Sequence, residues 1–370
     1  MTHGPRWAGV ALAALLATTA ARGGQGAKPW RFVSIPDFLN VDVAYPEPKW
    51  EDALGYVLEA IRAEKPDFVL VAGDLVMGRW WGGPDQIEHL GNLYYGAWTR
   101  RMRDHGLAFY ATIGDHEIGD NPWPPAKAKL VPSFKKAFRD HLKMPLNGPP
   151  GFKGTAWWML HKGTLVVAVD VFEPDPKQGI RLRVSGEQLA WLEKTLADHK
   201  DADHTIVMAH TPILWPVRAR ASSRLHIEGG RDSAVWKTMA KGGVDLYLCG
   251  EVHAITCTNA DGIEQIVHGS LFGYVNTVNY LVATVWPDRM RLELKRLPIV
   301  CEGAKMYQEG QNRPREIVRI APEARAKGFQ SVGTMVLDKT GGAKRFLDRT
   351  GEFDNPITQS ARKGRGHARH

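Results

Sequence analysis

Apolar runs of strand length alternate along much of the chain with stretches of helical period, and this alternation predicts the elements. Residues 31–35, 67–72, 107–113, 164–169, 204–209 and 244–248 read as strands. Between them, residues 50–65 carry Trp50, Leu54, Val57, Leu58 and Ile61 on one helical face, and residues 85–105 and 231–241 are helical in pattern. Ser185 and Gln188 stand at capping-box spacing ahead of an amphipathic helix bearing Leu189, Leu192 and Leu196. Strands alternating with helices imply an α/β layered domain in which helices cover a sheet. Past Val267 the helical patterns stop, and strand-like runs at 280–285 and 290–294 suggest a β-rich finish to the same domain. Residues 301–354 are mixed and polar and read as an extension packed on that domain.

Composition narrows the class. The 370 residues are 44% hydrophobic and 24% charged, the balance of a soluble globular protein with a substantial core. The net charge is +8, from 48 basic and 40 acidic residues. Half of it comes from Arg6, Arg22, Lys28 and Arg31, ahead of the first acid at Asp37, and half from Arg362, Lys363, Arg365 and Arg369, beyond the last acid at Asp354. The chain between is neutral overall, so no basic stripe for nucleic acid is expected on the folded domain. After Arg6 a short Ala-rich apolar run ends in small residues at 17–21. It is shorter than the roughly 20 residues a membrane span needs. Residues 1–28 are therefore expected to be a secretory signal peptide, with no integral membrane segment after cleavage and a periplasmic or extracellular location. The basic tail, residues 355–370, is expected to be disordered. Cys249, Cys257 and Cys301 are too few for a disulfide framework; a Cys249–Cys257 bridge and a buried Cys249 thiol both remain open.

The polar residues that interrupt the apolar runs fall directly after the strands. They are Asp37, Gly73-Asp74, Gly114-Asp115-His116-Glu117, His210 and Gly250-Glu251-Val252-His253. Singly, each is ordinary turn or cap chemistry. Five in succession are different, because in an open α/β sheet the carboxyl ends of the strands converge on one crevice. Asp37, Asp74, Asp115, His210, Glu251 and His253 then form a donor set suited to divalent cations. Trp80, Trp81, Trp98 and Trp123 cluster near these motifs and are expected to pin loops to the core, with lining of a substrate groove as the other use. Arg79, His226 and His268 are weaker candidates for phosphate contact.

In order and spacing, this series over residues 31–295 resembles the calcineurin-like metallophosphoesterases. Their pattern is Asp-x-His, Gly-Asp, Gly-Asn-His-Asp/Glu, an isolated His, and Gly-His-x-His. The resemblance implies two packed mixed β-sheets flanked by helices, a phosphoesterase domain over 29–300, and two metals at the strand C-terminal ends. It implies that Asp37, Asp74 and His253 hold one metal, and that Asp74, Asp115, His210 and Glu251 hold the other. It also implies hydrolysis of a phosphate mono- or diester by a metal-bridged hydroxide, with His116 as general acid. Three positions depart from the family: Leu39, Asp115 and Glu251 replace His, Asn and His. Asn40 or Asp42 is the candidate to fill the place Leu39 vacates. Four carboxylates in place of two favour Mn or Fe over Zn, with Mg allowed. The same substitutions motivate a second reading, a catalytically degenerate metal-binding relative that serves as a binding protein.

Overall fold

A computed structural model describes residues 28–38, 48–269, 275–303 and 316–357. Residues 1–27, most of the expected signal peptide, lie outside the described residues, as do Leu39, Asn40, Asp42 and the tail from 358 onward.

Two large mixed sheets carry the fold. The first has seven strands in the spatial order Arg345–Leu347, Gln330–Asp338, Arg289–Pro298, Thr277–Trp286, Trp30–Ser34, Phe68–Ala72 and Phe109–Thr112. Its last three strands run parallel, and the others pair antiparallel. The second has six, in the order Thr256–Ala260, Ile263–Val267, Leu246–Cys249, His204–Met208, Thr164–Ala168 and Trp157–His161. Its four inner strands are parallel, and each edge strand is antiparallel.

Parallel neighbours need crossovers, and the helices supply them. Pro48–Ala63 and Pro84–Asp104 link the parallel strands of the first sheet, and Gly186–Asp198 and Ala234–Lys241 link Thr164–Ala168, His204–Met208 and Leu246–Cys249 of the second, while the edge strand Thr256–Ala260 leads on to Ile263–Val267. Helix Pro84–Asp104 buries Ile87, Leu90, Tyr94, Trp98 and Met102, the three-to-four spacing of one apolar face. Strands covered on both faces read as unbroken apolar runs, and Phe68–Ala72, Thr164–Ala168, His204–Met208 and Leu246–Cys249 are buried at every position. Side chains of both sheets join in one core. At the seam, the Trp157 indole donates to the Ala111 carbonyl at 2.9 Å and the Thr112 hydroxyl to that of Val169 at 3.2 Å.

Three expectations need correction. Ser185 does not cap its helix; its hydroxyl donates to the Glu173 carboxylate at 2.7 Å, a charged acceptor that outcompetes a cap. Gln188 instead clasps the buried backbone of Asp170, accepting from its N–H and donating to its carbonyl, each at 2.8 Å. The helix expected over 231–241 begins at Ala234, because Ser233 is extended and its hydroxyl accepts from the Trp236 N–H. Helical structure also recurs after Val267, in Pro322–Lys327. Within the stretch 301–354, Gln330–Asp338 pairs along Arg289–Pro298 and buries Met335 and Leu337, so this segment widens the sheet itself. Cys249, Cys257 and Cys301 are free thiols, which closes the bridge alternative. Among the described residues, no helix is long and apolar enough to cross a membrane.

Candidate metal centre

Each candidate ligand lies two to four positions beyond the end of a strand. Asp37, Asp74 and Asp115 follow the three parallel strands of the first sheet, and His210, Glu251 and His253 follow two parallel strands of the second. The strand ends of the two sheets meet, and the six side chains converge there. Asp37, Asp74 and His253 bring one donor atom each within 4.8 Å of one another, and so do Asp74, Asp115 and His210. Asp74 belongs to both groups. Glu251 joins the second, with Oε2 at 3.4 Å from His210 Nε2. A third group, Asp115, His116 and Asp120, lies on the rim.

The backbone turns sharply to present these atoms. Asp37, Asp74, Glu251 and His253 have φ of 55°, 56°, 72° and 51°, the left-handed region that costs a non-glycine residue energy and recurs at functional sites. Glycine precedes several of them because the chains approach too closely for a side chain. A Cβ on Gly73, at φ +86°, would stand 2.5 Å from His210 Nδ1, and one on Gly114 would stand 2.2 Å from Asp74 Oδ1.

Orientation comes from the neighbouring backbone. His210 Nδ1 bonds the Ala72 carbonyl at 2.8 Å and His253 Nδ1 that of Arg220 at 2.9 Å, so each imidazole turns Nε2 inward, the arrangement common among metal-ligating histidines. Glu251 Oε1 accepts from the Ser222 hydroxyl and the Leu225 N–H, which leaves Oε2 for the centre. Asp37 Oδ1 accepts from the Glu251 N–H at 2.8 Å. Its other oxygen, Oδ2, is buried with no hydrogen-bond partner.

The electrostatics reflect crowded carboxylates. Burial pushes the Asp37 carboxyl well above the usual range, with the charge of Asp74 adding to it against the pull of His210. Burial and the Asp115 charge likewise raise Glu251. Asp115 moves the other way; burial is outweighed by the hydrogen bond from His210 and the charge of His116, which hold it well below the carboxylate range. Burial disfavours charge on His210, yet Asp74, Asp115 and Glu251 together push it well above its ordinary value. Burial keeps His253 low and therefore neutral, as a ligand must be. A buried carboxylate oxygen with no donor, four acids around two inward imidazole nitrogens, and a shared central Asp fit divalent cations as the missing partners.

Two neighbours with no role assigned from sequence hold this arrangement. Glu117 is fully buried and accepts the backbone N–H of Asp74, Leu75, Val76 and Gly114 at 2.7 to 3.3 Å, stitching two of the strand-end loops together. Burial and the Asp74 charge push it up to about 7. The Asn121 amide donates to Asp115 Oδ2 and to the Ser223 hydroxyl. Other candidates fall away from the centre. Trp80 packs on Tyr94 and Phe134 and donates to the His116 carbonyl, Trp98 stacks edge-on against Phe109, and Trp123 bonds the Ile118 carbonyl, all loop-pinning contacts. Trp81 is exposed. His268 is buried against the Ser34 hydroxyl, His226 lies by the exposed Trp215 ring, and the carbonyl of Arg79 accepts from Tyr94.

Known proteins share part of this sequence and its fold. The tartrate-resistant acid phosphatase type 5 of Mus musculus is 30% identical over 102 residues, 27% of this chain and 29% of that protein. The same enzyme of Oryctolagus cuniculus is 26% identical over the same shares, so the match spans under a third of either relative. The solved structure of PhoD superposes with a TM-score of 0.57 at 12% identity, covering 88% of this chain and 73% of that one, a likeness of fold. The family model for calcineurin-like phosphoesterases matches residues 47–254, and over that stretch, more than half of its length, the chain belongs to the calcineurin-like phosphoesterase family.

Proposed function

We propose that the protein is an exported, metal-dependent phosphoesterase acting on a phosphate mono- or diester. The observation that carries the reading is the pair of donor groups sharing Asp74, each drawing ligands from both sheets. Asp37, Asp74 and His253 would hold one cation, and Asp74, Asp115, His210 and Glu251 the other. Bound there, two divalent ions supply an acidified water and a positive field for the phosphoryl oxygens.

The chain's own residues set the rest of the chemistry. The cleft above the centre, about 250 Å³, is lined by His116, Asn121, Ser222 and Ser223 as well as by Asp74, Asp115, Glu251 and His253. His116 donates from Nδ1 to the Met77 carbonyl at 2.8 Å, and its Nε2 lies 4.0 Å from Asp74 Oδ2. Burial opposes a charge on this ring, but without cations Asp74, Asp115 and Asp120 outweigh it and push His116 up to about 10. A protonated imidazole at the mouth of the cleft is placed to protonate a leaving oxygen. Asn121 holds Asp115, and the serines hold Glu251, so both acids keep fixed orientations during turnover.

The oxygen-rich donor set supports Mn or Fe, with Mg allowed, ahead of Zn. The presence of Glu251 Oε2 at the centre favours catalysis over the degenerate-relative reading, because a carboxylate fills the place of the family histidine. Export rests on the sequence of residues 1–28, and N-terminal sequencing of protein recovered outside the cytoplasm tests it. Protein stripped by chelator and reloaded separately with Mn, Fe, Mg or Zn should hydrolyse p-nitrophenyl phosphate or its bis-ester, fastest with Mn or Fe. Inactivity with all four metals on both esters would leave the binding-protein reading in its place.

A further inference from the structure

A second cavity opens beside the centre. It measures about 310 Å³, and His253 lines both it and the cleft above the candidate ligands. Among the described residues, three arginines line this cavity, Arg218 and Arg220 from the loop after His204–Met208 and Arg296 from strand Arg289–Pro298. Glu352 is the one carboxylate beside them, and it pairs with Arg296. Three guanidinium groups against one acid leave a local excess of two positive charges. The overall charge arithmetic conceals it, because the chain between the basic ends is neutral.

Arg296 is paired with Glu352, while Arg218 is fixed by neutral acceptors. Arg218 gives its guanidinium hydrogen bonds to the carbonyls of Ile255 at 3.3 Å and Asn355 at 2.7 Å, contacts that fix the group and leave its charge uncancelled. The Arg220 N–H donates to the Val252 carbonyl at 2.8 Å, while the Arg220 carbonyl accepts from His253 Nδ1. Its exposed side chain is thus rooted on the segment that carries Glu251 and His253. Guanidinium forks match phosphate oxygens bidentately. Asn279 and Asn355 add polar groups to the wall.

We infer that this cavity is a second anion subsite, which takes a phosphate of the substrate other than the one cleaved. The inference rests on the phosphoesterase reading and narrows its substrate class to esters bearing two phosphoryl groups joined by a short linker that passes His253. The carboxylate-rich centre and the arginine-rich cavity then divide the two phosphates between cations and guanidinium groups.

The test compares propanediol bisphosphate with propanediol monophosphate on the metal-loaded enzyme. The bisphosphate should be preferred in kcat/KM by about tenfold or more, the effect of one or two charged hydrogen bonds. Arg220→Gln and Arg296→Gln should each cut that preference by about tenfold. A variant that folds poorly lowers both rates and leaves their ratio, so a reduced ratio reports the subsite. Equal kcat/KM for the two esters, or a ratio unmoved in the double variant, overturns the inference while the phosphoesterase reading stands. If neither ester is turned over, the phosphoesterase reading is judged on the p-nitrophenyl esters, and calorimetric titration with the propanediol pair decides the subsite: tighter binding of the bisphosphate that Arg220→Gln weakens supports it, and equal binding refutes it.

Discussion

His116 and Glu117 are neighbours in sequence with opposite tasks, one facing the cleft and the other locked behind it. If His116 protonates the leaving oxygen, His116→Ala should slow alkyl phosphate esters by about 100-fold or more. p-Nitrophenyl phosphate, whose leaving group needs no proton, should keep most of its rate. A plot of log kcat against leaving-group pKa checks this, since it should steepen in the variant; equal losses across the series would reduce His116 to a binding residue. Glu117 acts through the backbone, as acceptor for the N–H groups of Asp74, Leu75, Val76 and Gly114. Each buried donor left without a partner costs about 1–3 kcal/mol. Glu117→Ala should therefore lower the stability of the metal-free protein by at least about 3 kcal/mol in urea unfolding, and Glu117→Gln, which keeps one acceptor oxygen, should recover part of that. An unchanged midpoint in the alanine variant would remove Glu117 from the scaffold. Strand-end position marks both Glu117 and the candidate ligands in the sequence, but it gives no sign that Glu117 turns beneath the crevice while the others face it. Asn121, Ser222 and Ser223 escaped for a related reason: they reach the centre from loops and carry no periodic signal.

The legibility of whole elements follows from which faces they bury. Strands covered on both sides are continuous apolar runs, so Phe68–Ala72, His204–Met208 and Leu246–Cys249 stand out in the sequence. Trp157–His161 and Thr256–Ala260 are edge strands with mixed burial, and the short polar pattern of Thr256–Ala260 does not separate it from a loop. Helix Val131–Leu142 was missed although it buries Val131, Phe134, Ala137, Phe138 and Leu142, because it sits in a connection rich in Pro and Lys. The turns that end the strands matter most for the site, and they test at the level of one Cβ. Gly73→Ala would set a methyl 2.5 Å from His210 Nδ1 at φ +86°, so the imidazole must move. Gly106→Ala, at φ +64° with open space around it, carries only the backbone cost of about 1 kcal/mol. Steady-state kinetics on the two variants should show kcat/KM falling at least about 100-fold for the first and staying within about twofold for the second, with circular dichroism confirming that both fold. Similar activities would mean that the strand-end turn does not position His210.

At the scale of the molecule, the centre is a joint between two sheets. The first sheet contributes Asp37, Asp74 and Asp115, and the second His210, Glu251 and His253. Both donor groups contain residues from each sheet, so a cation in either one ties the sheets together at their strand ends. Without cations, buried carboxylates repel across the same joint, which is why burial and mutual charge raise Asp37 and Glu251. Metal should therefore act on global stability as well as on turnover. Binding to the folded state alone adds about 4 kcal/mol at a thousandfold excess over Kd. At about 1–2 °C for each kcal/mol in a chain of this length, the rise in Tm should be on the order of 5 °C. Scanning calorimetry of chelated and reloaded protein measures it, and Mn or Fe should raise Tm more than Zn does. The sharper comparison is Asp74→Asn, which weakens the one residue common to both groups and relieves the repulsion. This variant should be as stable as the parent, or more so, in chelator, and should lose most of the rise on adding metal. A full metal-dependent rise in Asp74→Asn would place the cations elsewhere and break the link between the joint and the chemistry.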